Sequence, residues 1–120
     1  YWRYPEYHTS LDNKDFISFP SLVETIDTCL EICRTLDSES RYRCLVPFGE
    51  PQLGKRGLYP NLGGANERQA RLRTQAWLLN LSDGEHSLLD IAERGGERVT
   101  DLADVAETCV AAGLLERVAS

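Results

Sequence analysis

Ser87-Leu88-Leu89-Asp90-Ile91-Ala92-Glu93-Arg94-Gly95-Gly96 is the stretch that decides how this chain folds. Ser87 stands three residues ahead of Asp90, a capping-box-like pair in which each side chain accepts a backbone N–H at a helix start. Leu88, Ile91 and Ala92 then form a short apolar face, and Gly95-Gly96 ends it, so the spacing predicts a short helix. Working upstream, Leu72, Ala76 and Leu79 recur at i, i+4 and i+7, with Trp77 and Leu78 widening the stripe. This predicts a helix over 67–81, stopped by Ser82-Asp83-Gly84. Downstream, from Thr100, the residues Leu102, Val105, Ala106, Cys109 and Val110 repeat at three and four until Gly113. Leu114-Leu115-Glu116-Arg117-Val118 then predicts a strand.

Helix, short helix, helix and strand, in that order, is the arrangement of a winged helix-turn-helix, and it occupies residues 64–120. A glycine-rich joint, Asn61-Leu62-Gly63-Gly64-Ala65-Asn66, separates it from residues 1–63, which hold all five prolines. A domain boundary is expected there. In the first segment, residues 1–19 are polar and aromatic without a sustained period and read as a strand end running into a long loop. Pro20-Ser21 announces a helix in which Ser21 caps and Glu24 reaches back, with Leu22, Ile26, Cys29, Cys33 and Leu36 on one face. Residues 41–46 read as a strand, and the proline- and glycine-bearing run from Pro47 to Pro60 as a shaped loop. The fold class expected is therefore α+β and mainly helical: loop, helix and strand, then a winged helix-turn-helix.

The chain has 120 residues and a formal net charge of −6, which argues against a domain that clamps a phosphate backbone. A DNA-reading helix needs Arg, Lys, Asn or Gln on its exposed face. The helix from Thr100 instead offers Asp101, Asp104 and Glu107, while Arg68, Arg71 and Arg73 line a helix that does not ordinarily enter the groove. No nucleic-acid-binding residues are assigned. The other use of such a fold is protein or peptide binding, and residues 78–92 with 112–115 resemble small winged-helix modules such as the PqqD-type leader-peptide binders. His86 reads as a turn or surface histidine.

No stretch approaches a membrane span. Four cysteines are too few for a disulfide scaffold, and Cys29 and Cys33 read as small buried hydrophobes on one helix face, not as a zinc site with Cys44. A reducing cytoplasm is the expected compartment. Methionine is absent and the chain opens Tyr1-Trp2, so a piece of a longer protein is expected.

One place in the first segment suggests reactive chemistry. In Tyr4-Pro5-Glu6-Tyr7-His8-Thr9-Ser10-Leu11-Asp12-Asn13, a loop histidine followed by hydroxyl and carboxylate side chains can offer one ring nitrogen to a metal. Tyr7-His8-Thr9-Ser10-Leu11-Asp12-Asn13 resembles the Y-H-T-x-x-D-[TN] motif of M28-type zinc aminopeptidases. The loop from Gly49 to Pro60 is similar to a signature of the aminopeptidase-like branch with a DUF4910-type domain, sometimes named with polysaccharide biosynthesis, whose members end in a winged helix.

That resemblance implies a zinc ligand at His8, a tyrosine near the substrate carbonyl at Tyr7, and a loop-bracing carboxylate at Asp12. It makes residues 1–63 the C-terminal tail of an α/β zinc-peptidase domain and implies metal-assisted hydrolysis of a peptide-like substrate, with the remaining ligands and a glutamate base lying upstream. A catalytic zinc needs about three protein ligands, and residues 1–63 offer His8 with no second candidate at ligand spacing. The chain alone is thus expected to hydrolyse nothing, and zinc is expected only in the complete parent protein. Two readings stand for Glu50, Lys55 and Arg56: they line the substrate side of the complete site, or they tie a structural hairpin to the missing domain. The upstream catalytic domain is an expected partner, and the apolar faces left uncovered are expected to be met by a second copy or by packing on the winged helix.

Overall fold

The computed structural model describes residues 3–49, 51–59 and 64–118. The chain divides into two compact units, Tyr1–Cys33 and Arg34–Ser120.

In the first unit, residues 4–17 form a run of turns, the long loop expected from the sequence; residues 1–2, where the expected strand end would begin, lie outside the described residues. Helix α1, Phe19–Ser38, follows and extends past the unit's limit. It starts ahead of the expected cap. Ser18 accepts from the Ser21 amide at 3.4 Å, and its carbonyl takes the Leu22 amide, so Ser21 lies inside the helix and no Ser21–Glu24 capping box forms. The apolar face expected on α1 is present in sequence, yet none of its residues is buried. Cys29 and Cys33, expected as buried hydrophobes, are exposed free thiols.

The second unit holds β1 (Arg41–Cys44), α2 (Ala65–Leu81), β2 (Asp83–Ser87), α3 (Leu88–Gly95), α4 (Val99–Ala111) and β3 (Leu115–Val118). The strands form one antiparallel sheet in the order β2-β1-β3. Strand β1 pairs with β3 in register from Arg41 opposite Val118 to Cys44 opposite Leu115, and meets β2 with an irregularity between Arg41 and Arg43. Its alternation is the reason it can sit in the middle: Tyr42 turns into the core while Arg41 and Arg43 point to solvent. The strand that the sequence grouped with residues 1–63 is thus the centre of the sheet formed by β2 and β3. Strand β2 was not foreseen, because Asp83-Gly84-Glu85-His86-Ser87 carries no β-branched or aromatic residue.

The helices follow the expected grammar more closely. Ser87 accepts from the Asp90 amide at 3.2 Å while Asp90 accepts from the Ser87 amide at 2.8 Å, the reciprocal cap read from the sequence. Gly96 closes α3 in the left-handed conformation, φ 63°, which glycine adopts without a Cβ penalty. At Gly84, φ 92°, the chain path itself selects glycine; an added Cβ would lie 3.1 Å from the exposed Arg43 guanidinium, which is free to shift. The core gathers Tyr42, Leu78, Leu88, Ile91, Leu102 and Leu114 with smaller neighbours. Gln75, buried beside it, donates to the Cys109 sulfur at 3.8 Å, so its amide is not left unpaired. Among the described residues, no helix is long and apolar enough to cross a membrane.

Candidate functional site

The His8 loop is built from consecutive turns whose bonds are supplied by its own short side chains. The Thr9 hydroxyl donates to the Glu6 carbonyl at 2.7 Å and accepts from the Leu11 amide at 3.2 Å. Asn13 repeats the device, donating to the Ser10 carbonyl and accepting from the Asp15 amide at 2.9 Å. Just ahead of Thr9 the backbone enters the left-handed region at His8, φ 58°, an uncommon conformation for a residue with a side chain. The His8 ring is exposed and meets the Tyr7 ring edge-on, with centroids 4.1 Å apart.

Tyr4 anchors the loop from behind. Its ring stacks on Phe16 at 5.5 Å and meets Tyr7 edge-on at 5.6 Å, and its hydroxyl donates to Asp12 Oδ2 at 3.3 Å. Desolvation first and the neighbouring Asp12 charge second raise the Tyr4 pKa, which keeps the hydroxyl a donor to that carboxylate. The structure therefore brings Tyr7, His8 and Asp12 into one turn system, with Asp12 holding its tyrosine strut. Tyr4 itself was not singled out from the sequence. Its signal was the Tyr4-Pro5 entry to the loop and an aromatic partner at Phe16.

Among the described residues, no group of three or more His, Cys, Asp or Glu side chains is arranged to hold a metal ion. His8 fits the part of a single ligand: its imidazole is exposed, and its backbone is set by neighbours rather than by packing over the ring. A complete coordination shell would draw its other donors from outside this set.

The remaining sequence candidates lie in the second unit. Glu50 falls outside the described residues. Lys55 is exposed. The Arg56 guanidinium donates to the Pro51 carbonyl at 3.1 Å and to the Ala112 carbonyl at 2.7 Å, just past the end of α4. That bond ties the loop to the end of α4 within the same unit. Leu53 and Leu58 from the same loop pack against the core, so the loop belongs to the body of this unit.

Helix α4 exposes Asp101, Asp104, Glu107 and Thr108, the acidic face read from the sequence. A cleft of about 370 Å³ between α2 and α4 is lined by Glu67, Arg71, Glu97, Asp101 and Asp104. Arg73 neutralises only Glu97, at 2.7 Å, and Thr74 donates to the same carboxylate at 2.8 Å. Glu67, Asp101 and Asp104 share the cleft with the Arg71 guanidinium.

A second hollow, about 680 Å³, has Val46, Pro47, Pro51, Leu53, Ala76 and Leu79 in its wall. Sequence reasoning missed it because its two sides come from the shaped loop and the end of α2, which no local period connects. His86 lies in β2, not in a turn. Its Nδ1 is 2.8 Å from Asp83 Oδ2, and the backbone N–H groups of His86 and Glu85 hold the Asp83 carboxyl down at about 2.

Comparison with known proteins adds three findings. The winged helix-turn-helix family profile matches residues 40–117. A Clostridium acetobutylicum protein, named for polysaccharide biosynthesis with an aminopeptidase-like domain, is 38% identical over 112 residues. That alignment takes in 93% of this chain and 26% of the relative. A crystal structure described as a peptidase from the same organism superposes with a TM-score of 0.77 at 33% identity, covering 98% of this chain and 25% of the other. The chain thus spans about a quarter of the length of these relatives.

Proposed function

We propose that this chain, which belongs to the winged helix-turn-helix family through residues 40–117, is the C-terminal part of an aminopeptidase-like zinc hydrolase. In this reading His8 gives one metal ligand, Tyr7 lies beside the substrate carbonyl, Asp12 braces the loop, and the winged helix makes protein contacts in a cytoplasmic enzyme. The rest of the donor set and the general base come from polypeptide beyond these residues. A bound zinc would supply Lewis-acid polarisation of a peptide carbonyl and an activated water. The chain's own work is to hold one imidazole at a fixed angle and a phenol next to it.

The observation that carries this reading is the His8 turn. A left-handed backbone at a histidine costs conformational energy and persists only where surrounding bonds over-determine it. Here Thr9, Asn13 and the Tyr4–Asp12 pair do so around an exposed ring. The aminopeptidase-like name of the relative supplies the reaction class. The test uses the complete product of the gene: His8→Ala should lower zinc content and abolish peptidase activity. Unchanged activity with full zinc would remove His8 from the site.

A second reading, a peptide-binding winged-helix module, is favoured by the apolar hollow beside α2. It needs no metal. Titration with zinc separates the two, because only the hydrolase reading couples His8 to metal uptake.

A further inference from the structure

We draw no further inference here: the strongest candidate, the apolar hollow between the loop after β1 and the end of α2, with the exposed Phe48 between its lining residues Pro47 and Gly49, carries nothing because nothing in the structure shows what covers it.

Discussion

Replacing Tyr42 with alanine tests whether the winged unit begins before the glycine-rich joint. Tyr42 is 1% exposed, sits in the middle strand of the sheet, and is the largest side chain of the core. Its hydroxyl donates to Glu107 Oε1 at 2.9 Å, and the Arg117 guanidinium lies 5.7 Å from its ring centre and 3.2 Å from its oxygen. Removing a buried aromatic ring costs about 3–5 kcal/mol, since the cavity only partly collapses. A small domain has roughly 5–15 kcal/mol in total. At about 4–8 °C per kcal/mol for a unit of this size, Tyr42→Ala should lower the melting temperature by roughly 12 °C or more.

Tyr42→Phe isolates the hydroxyl. The Glu107 and Arg117 side chains are 62% and 59% exposed, so water replaces the lost bond and the cost should be about 1 kcal/mol. Urea unfolding followed by circular dichroism gives both numbers, provided the slope with denaturant is unchanged. A cost below about 1 kcal/mol for Tyr42→Ala, well under the range for buried aromatic truncation, would refute the reasoning. It would mean that β1 is an accessory to the winged unit and that the unit starts at α2.

Two further perturbations probe its local devices. Ser87→Ala removes the hydroxyl that accepts from the Asp90 amide and should cost about 0.5–2 kcal/mol in the same unfolding assay, with Ser87→Thr close to the parent. Asp83 has a folded-state pKa of about 2 against 3.8, lowered first by the His86 and Glu85 amides. A depressed carboxylate stabilises above its unfolded pKa. The stability advantage over Asp83→Asn should therefore be full at neutral pH, decline as pH falls below 3.8, and vanish through about 2 in acid titrations.

How legible each part was depended on the range of the interaction behind it. The α3 cap at Ser87 and Asp90, its end at Gly96, and the acidic face of α4 all follow from residues three or four apart, and all were readable. The cap of α1 was misread by three residues because Ser18 and Ser21 are both chemically able to cap, and only the geometry shows that Ser18 does so. The His8 motif was legible as residue types. Its left-handed backbone and the Tyr4 strut were not, because neither leaves a periodic trace. Arg56 illustrates the same limit: nothing local connects it to the Ala112 carbonyl.

Composition, helix periodicity and capping chemistry by themselves determined a mainly helical chain, the order of its last three helices and final strand, and an acidic exposed face on α4. These are short-range properties, governed by side chains within a turn of one another. Tertiary structure alone decided that β1 crosses the glycine-rich joint to become the middle strand, because a four-residue strand finds its place only through partners at distant positions.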